Sequence, residues 1–487
     1  MAAPVLAIGI DAVEPTMVRR LAADGSLPNI RALAGEGAWH DVESPADLGS
    51  AAVWPTFVTA SAPEVHGVYC DWMWDPDRME IRKWSLCQPF WARLGSDVRV
   101  GALDVPLAAP THTPTAFEVV GWGARLELER SGAAIAPEPV AAIVDAHDPH
   151  PFASRHGLFP GPQDAAGSAR VDAACLEGIR RRGRLARSLI EATRPDLALV
   201  VFTEVHEAGH RLWHTAEPTS PLYDDLASSP APGVGGIERL LREVDAEIGR
   251  LVELAGPEAP VAVFALDGMG PARGVPAFLG PVLDDRGWSV PPARRPGEAR
   301  GLARSALAWT KRRSPIPLRR VYHALVPEST RWRVAQKASF VPHDWSRTRA
   351  FALPTNQHGW VRINLRGRER DGIVAPGDYE RVRDELAAEL ATLETADGRA
   401  LVQRVLPSGN GDGPPALLPD LTVHWTEAAY DRPVRVAGTS VEAMPSLLEL
   451  TGTHRLDAFC LARGLPVDGQ PLRAERLPEV LISAARA

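Results

Sequence analysis

The chain has 487 residues, of which 45% are apolar, and its formal net charge is -8 with a pI near 6.0. This length suits one large α/β domain or roughly two to four domain-sized units. The acidic balance argues against generic nucleic-acid or membrane binding, and four cysteines without close spacing argue against a disulfide framework or a thiolate zinc cluster.

The N-terminal residues carry no sign of a targeting segment. MAAPVLAIGID lacks the basic region of a signal peptide and runs directly into an apolar stretch. No apolar stretch in the chain approaches the ~20 residues that span a bilayer. We therefore expect a soluble cytoplasmic protein with no membrane partner.

The first predicted strand, Val5–Ile10, is followed by an acidic residue, Asp11. Pro15 and the apolar spacing after it predict a helix. A residue between such a strand and helix lies at the carboxyl end of the strand, where open α/β sheets bind their ligands. Asp11 is therefore a candidate binding residue.

The next segment, Asp47–Tyr69, is rich in small hydroxylated residues and ends in Pro63 and His66. Ser50 lies near a predicted helix start in this segment. A serine at that position is a common N-cap, and it also gains backbone N–H donors that suit a phosphoryl oxygen. The two roles are compatible.

Strands and helices alternate along the rest of the chain. The predicted strands are 99–106, 119–125, 196–202, 260–265, 350–364 and 419–425, and the predicted helices are 171–192, 235–254 and 379–394. Residues 134–167 are rich in Pro, His and Ala with little periodicity. This predicts a loop or cap in which His147, His150 and His156 lie on the surface. Between Arg294 and Arg349 there are fourteen basic and three acidic residues, which form either a solvated helical face or a rim that attracts an anionic substrate.

The segment VFTEVHEAGHRLWH follows an apolar, strand-like run and contains His206, His210 and His214 at intervals of four. On a helix this spacing aligns imidazoles on one face, one turn apart. Two histidines at i and i+4 are a metal-ligand spacing that needs ligands from elsewhere to complete a site. The alternative is a helix start with polar surface histidines.

The order of these motifs resembles the alkaline phosphatase superfamily, and in particular its type I phosphodiesterase and nucleotide pyrophosphatase branch. Members carry an aspartate after the first strand, then a Ser or Thr nucleophile at a helix start, and then a tail of Thr-Gly, Pro and His-Gly. Here Asp11, Ser50, Thr59, Pro63 and His66 fall in that order.

The resemblance implies an α/β fold with a central, mostly parallel sheet flanked by helices, plus cap insertions. It implies a catalytic core formed by residues 1–290 and 347–487, with the loop or cap at about 134–167. Residues 291–346 would be a basic helical insertion or cap.

The resemblance also implies a site with two divalent metal ions and Ser50 as the nucleophile, with Thr56 as a competing hydroxyl. One ion would be held by His206, His210 and His454, the last of which lies in a C-terminal motif, ELTGTHRLDAF. The other would be held by Asp11, Asp267 and the Ser50 oxygen. Three imidazoles suit Zn, and the oxygen-rich second site suits Zn, Mn or Mg.

Three of the expected metal-ligand positions depart from the family pattern. His206 stands where an aspartate is expected, and Asp267 stands where a histidine is expected, so the two ions would have exchanged a nitrogen and an oxygen ligand. Leu266 occupies a position that usually supplies a ligand, and leucine cannot coordinate a metal.

Three further residues are candidates for contacts around the ions or the substrate. Glu204 offers a carboxylate as a ligand or as a hydrogen-bond partner of one. Asp71 stands where relatives often have an asparagine that binds the phosphoryl group, and a carboxylate there would repel a phosphate. His358 is a ligand, a phosphate contact or a solvated loop residue.

The function implied is metal-dependent hydrolysis of a phosphoric ester, preferably a diester, through attack by Ser50 on phosphorus. The partner would be an anionic small-molecule substrate, with no nucleic-acid scaffold and with the oligomeric state left open. The alternatives are hydrolysis of a monoester, a sulfate or a phosphonate, or a catalytically weakened relative that binds an anion. Transfer of a phosphoryl-alcohol group would require membrane association, and we see no segment in the sequence that predicts it.

Overall fold

The computed structural model describes residues 3–70, 72–83, 85–111, 116–123, 133–151, 165–216, 236–292, 325–326, 330, 340, 342–355, 357–408, 413, 415–431, 433–443, 450–467 and 471–487. The chain divides into two compact units, the first made of Met1–His66, Ser85–Ala272 and Leu450–Ala487, and the second of Gly67–Trp84 and Arg273–Glu449. The predicted catalytic core, 1–290 and 347–487, thus includes parts of both units. Most of the predicted insertion, 291–346, lies outside the described residues.

The first unit is built on a nine-stranded mixed sheet with the order β19-β2-β18-β9-β1-β8-β5-β6-β7. Its strands are β1 (Val5–Ile10), β2 (Ala38–Glu43), β5 (Val100–Leu103), β6 (Phe117–Val120), β7 (Ala134–Ala136), β8 (Leu197–Phe202), β9 (Val261–Ala265), β18 (Phe459–Arg463) and β19 (Leu472–Arg473). A separate antiparallel pair in this unit joins β10 (Gly268–Pro271) to β17 (Gly452–Arg455).

The centre of the sheet is parallel, with β9, β1, β8, β5 and β6 running in one direction. Every residue of β1, β8 and β9 is buried, as expected for parallel strands that are covered on both faces and read as continuous apolar runs. Antiparallel strands, β18 and β7, lie outside this group. The prediction of a central, mostly parallel sheet is confirmed.

Helices cover this sheet and connect its strands. They are α1 (Pro15–Ala23), α2 (Pro28–Glu36), α3 (Val53–Thr59), α4 (Pro63–His66), α5 (Glu138–Asp145), α6 (Ala165–Thr193), α7 (Glu204–Leu212), α8 (Gly236–Ala255) and, near the C-terminus, α11 (Leu477–Arg486). Helix α8, predicted as 235–254, has an apolar stripe that is buried, except that Val252 is partly exposed. No described helix combines the length and the apolar character needed to cross a membrane.

Residues 134–167 were predicted as a loop or cap with surface histidines, and this is wrong in part. The segment contains β7 and α5, and His150 is buried, with 1% of its surface exposed. His147 is half-buried, and His156 lies outside the described residues.

The second unit contains a four-stranded antiparallel sheet with the order β11-β12-β14-β13. Its elements are β3 (Trp72–Asp75), β4 (Glu80–Lys83), α9 (Leu279–Asp285), β11 (Ala350–Leu353), β12 (Gly359–Ile363), α10 (Tyr379–Ala391), β13 (Val402–Pro407), β14 (Leu421–Trp425), β15 (Val434–Arg435) and β16 (Glu442–Ala443). The apolar faces of α9, α10 and the sheet share one core cluster. The predicted continuous strand 350–364 is observed as two antiparallel strands, β11 and β12.

Candidate metal centre

Three neighbouring parallel strands of the first unit deliver polar residues to one edge of the sheet. Asp11 follows β1, the helix that carries His206 follows β8, and Asp267 follows β9. The register pairs Ile10 with Phe202, and the Asp11 backbone N–H donates to the Phe202 carbonyl at 3.1 Å. These residues therefore gather at the carboxyl ends of parallel strands, the usual ligand edge of such a sheet.

Two histidines of α7 face each other as the sequence spacing predicts. The Nε2 atoms of His206 and His210 lie 2.9 Å apart. His214 is not part of this pair, because α7 ends at Leu212 and His214 lies in the 3-10 turn that follows, where it is buried. The alternative prediction, a helix start with polar surface histidines, does not describe α7.

The third histidine comes from the C-terminal part of the chain. Pairing of β10 with β17 sets Met269 opposite His454, and the Nε2 atom of His454 lies 3.3 Å from that of His206. The three ring centroids are 4.6, 4.9 and 5.0 Å apart. Among the described residues, His206, His210 and His454 are the one group of three or more His, Cys, Asp or Glu residues whose ligand atoms converge.

Each imidazole has an oxygen beside its other ring nitrogen, Nδ1. The His206 Nδ1 lies 3.0 Å from the Asp11 Oδ2, and the His454 Nδ1 lies 2.8 Å from the Asp267 Oδ2. The His210 Nδ1 lies 2.9 Å from the Gly452 carbonyl oxygen, to which it donates. Such partners fix the tautomer, so the Nε2 atoms are left to face one another.

These separations fit a tetrahedral metal ion. Zn–N bonds of ~2.0–2.1 Å at tetrahedral angles would hold the nitrogens about 3.3 Å apart, close to the observed 2.9 and 3.3 Å. Two facing lone pairs at such a distance repel each other unless a cation or proton lies between them. The three histidines therefore fit a divalent ion, and they leave room in its coordination for a fourth ligand.

The charges around the histidines are strongly coupled. Burial alone would lower the pKa of His206, but the Asp11 carboxylate outweighs it and raises that pKa to about 9. Burial, aided by the other two imidazoles, holds the pKa of His210 well below its ordinary value. Burial raises the pKa of Asp267, whereas at Asp11 the burial effect is outweighed by His206 and by hydrogen bonds, so its pKa is lowered.

Ser50 and Thr56 differ in what their hydroxyls do. The Thr56 hydroxyl is fully buried, donates to the Ala52 carbonyl at 2.9 Å and lies 3.0 Å from the His66 Nε2. Ser50 begins the 3-10 turn that leads into α3 and is partly exposed, and within the described residues its hydroxyl forms no hydrogen bond. Of the two hydroxyls, Ser50 is the one left available.

Trp54 connects this helix to the sheet edge. Its indole N–H donates to the Asp11 Oδ1 at 2.7 Å. Trp54 lies four residues after Ser50, in the helix into which the Ser50 turn leads. No local sequence pattern indicates this contact, because it joins two segments 43 residues apart.

Glu204, the first residue of α7, is fully buried in a network of charged side chains. Its carboxylate lies 2.9 Å from the Arg182 Nε and 2.8 Å from the His150 Nε2. Arg182 also reaches the Asp104 carboxylate at 2.9 Å and the Thr203 hydroxyl at 3.1 Å. Glu204 thus pairs with Arg182 and His150, and sequence reasoning missed both because neither carries a local signal.

The last two candidates lie in the second unit. His358 is buried, and its ring centroid lies 4.2 Å from that of His424. Asp71 lies outside the described residues. Their predicted contacts with a ligand stay predictions.

The family assignment agrees with the fold and the centre. The model of the type I phosphodiesterase / nucleotide pyrophosphatase family matches residues 5–410, and the chain belongs to this family. It is accordingly an enzyme of the alkaline phosphatase superfamily, whose family members are metal-dependent hydrolases of phosphoric esters. The match does not reach His454, which joins the centre through the geometry alone.

Solved structures similar to this chain include two related kinds of enzyme. Phosphonoacetate hydrolase from Sinorhizobium meliloti 1021, in complex with phosphonoacetate, has 16% sequence identity and a TM-score of 0.49, with 99% of this chain and 96% of that chain covered. Human ectonucleotide pyrophosphatase / phosphodiesterase 5 has 10% identity and a TM-score of 0.44, with 99% and 94% covered. The murine protein in complex with AMP has 12% identity and a TM-score of 0.44, with 99% and 95% covered. No match to a curated protein sequence is found.

Proposed function

We propose that this protein hydrolyses phosphodiesters, with Ser50 as the nucleophile and a divalent metal ion, preferably Zn, on His206, His210 and His454. The observation that carries the proposal is the convergence of three Nε2 atoms at the ligand edge of the sheet, 2.9 and 3.3 Å apart. The family description supports the choice of a diester. An anionic small molecule is therefore the expected substrate.

Ser50 is supported by its available hydroxyl and by Trp54. The indole that contacts Asp11 belongs to Trp54, four residues after Ser50, so the segment that carries Ser50 is anchored to the ligand edge of the sheet close to that serine. Thr56 is disfavoured because its hydroxyl is buried and committed to Ala52 and His66.

The reaction proposed is an in-line displacement in two steps. The Ser50 oxygen bonds to phosphorus while the ester bond breaks; the serine proton passes to solvent, and the leaving oxygen takes up a proton. Water then cleaves the bond between Ser50 and phosphorus, which releases the phosphate monoester and restores the hydroxyl. A bound divalent ion supplies Lewis acidity that stabilises charge developing on the phosphoryl oxygens.

The test compares Ser50→Ala with Thr56→Val on a chromogenic aryl phosphodiester in the presence of Zn²⁺. We expect Ser50→Ala to lower kcat on the order of 10³-fold or more, whereas Thr56→Val retains most of the activity of the folded protein. The panel also contains an aryl monoester, a sulfate ester and a phosphonate. Equal turnover by Ser50→Ala and the parent would refute the nucleophile, and preference for another ester would refute the diester.

A further inference from the structure

Asp11 and Asp267 were predicted to hold a second metal ion, and their contacts support a different role. We propose that this chain holds one divalent ion per molecule, on His206, His210 and His454, and that the two aspartates orient imidazoles and ligate no second ion. This inference rests on the metal site of the function proposed above.

The Asp11 carboxylate meets N–H groups at both of its oxygens. Its Oδ2 faces the His206 Nδ1 at 3.0 Å, and its Oδ1 accepts the Trp54 indole N–H at 2.7 Å. An indole nitrogen is only a donor, so a cation on Oδ1 would stand close to the positive end of the N–H bond. The surroundings of Asp11 are therefore those of a hydrogen-bond acceptor.

One oxygen of Asp267 also faces an imidazole, and the neighbouring Leu266 has no atom that could bind an ion. The Asp267 Oδ2 lies 2.8 Å from the His454 Nδ1. Leu266, in the position where a ligand is usual, is buried and apolar. The predicted second site is thus reduced to two carboxylates that already face imidazoles and the neutral Ser50 hydroxyl.

The two carboxylates are more deeply buried than the imidazoles that they contact. The Asp11 and Asp267 side chains are 6% and 3% exposed, whereas the His206 and His454 side chains that they contact are 33% and 16% exposed. The carboxylates therefore lie on the interior side of the imidazoles. This is the arrangement of a carboxylate–histidine–metal series, in which the carboxylate supports the ligand.

The charge balance also favours a single ion. Three neutral imidazoles contribute no charge, so two aspartates compensate the charge of one divalent cation. A second divalent ion would leave two positive charges uncompensated among these residues, which is costly in a partly buried site.

The test measures metal stoichiometry on the full-length protein, without substrate. Chelator-treated protein is titrated with Zn²⁺, and separately with Co²⁺ followed by its absorption spectrum, and bound metal is then counted by mass spectrometry. We expect one equivalent per chain, lost in His210→Ala. Two equivalents, or none, in the parent protein would overturn the proposal.

The aspartates are tested with Asp11→Asn and Asp267→Asn, with the exposed Asp41→Asn as the control. We expect both variants to keep one equivalent with about 10–100-fold weaker affinity, and the control to bind as the parent does. A fall from two equivalents to one in either variant would identify a true ligand and refute the proposal. If circular dichroism shows that a variant is unfolded, the metal stoichiometry of the parent protein still tests the proposal.

The metal stoichiometry and the hydrolytic activity test the two proposals separately. One bound ion without hydrolysis of any ester would refute the proposed function and leave this inference intact. Two bound ions with phosphodiester turnover would refute this inference and leave the function intact.

Discussion

Gly452 offers a severe test of how the two chain segments of the metal centre are joined. A Cβ atom at this position would lie 2.1 Å from the Gly209 carbonyl oxygen and 3.0 Å from the Trp213 Cβ. A close carbon–oxygen contact is ~3.3 Å, so Gly452→Ala must push β17 away from α7 by about 1 Å. The displaced residue supplies the carbonyl that holds the His210 Nδ1, and His454 lies two residues further on.

We expect Gly452→Ala to lower the free energy of unfolding by about 1–3 kcal/mol, as overpacking does in well-packed interiors. Because a partner of one ligand and the position of another both shift, Zn²⁺ affinity should fall about 10–100-fold. Urea unfolding of the chelator-treated protein measures the first effect, and competition with a chromophoric chelator measures the second.

The matched control is Gly35→Ala in α2, where an added Cβ meets no atom within 4 Å. This variant should match the parent protein or be more stable by up to about 1 kcal/mol, because alanine favours a helix over glycine. If Gly452→Ala unfolds and binds Zn²⁺ as the parent does while the control behaves as expected, the reasoning from this contact is refuted.

Three other predictions concern charge and burial. The folded-state pKa of His206, about 9, is above the ordinary 6.5 of the unfolded chain, so its proton stabilises the metal-free fold fully below pH 6.5 and ceases to do so as the pH rises through 9. The urea midpoint should fall over that window, and less so in Asp11→Asn. Arg182→Met leaves two buried carboxylates without their cation and should cost about 3–5 kcal/mol in urea unfolding. The exposed Arg19→Met should cost less than about 1 kcal/mol. All four cysteines are buried, and burial raises the pKa of Cys460 to about 12. Ellman's reagent should therefore label no cysteine in the native protein at pH 8 and all four in denaturant. Rapid labelling of the native protein would contradict this.

Much of the order of elements in the first unit was predictable, because its signals are local. The predicted strand Val5–Ile10 has those bounds in the structure, and the predicted strand 196–202 is observed as Leu197–Phe202. The predicted helix 235–254 is observed as α8. The i, i+4 spacing of His206 and His210 was sufficient to predict that they share a helix face.

The contacts between distant segments were not predictable in the same way. Family register indicates which residues stand at Asp11 and Asp267, but the side-chain directions depend on how the β1, β9 and β17 segments meet. The Pro, His and Asp neighbours of His150 are typical of an exposed loop. Its burial depends instead on Glu204 and on the Arg182 that pairs with Glu204, and both are far away in the chain. Such pairings have no period or motif that a single sequence reveals.

The position of β18 between two earlier strands affects how the sheet forms during synthesis. It pairs with β2 on one side and with β9 on the other, and both of these are synthesised well before it. Until β18 leaves the ribosome, the β9 edge is unpaired and β2 has no sheet to join, and open strand edges invite aggregation. His454 lies in β17, the strand before β18 in the chain, and 248 residues after His206. Closure of the sheet and completion of the metal centre would therefore be one late event in biosynthesis.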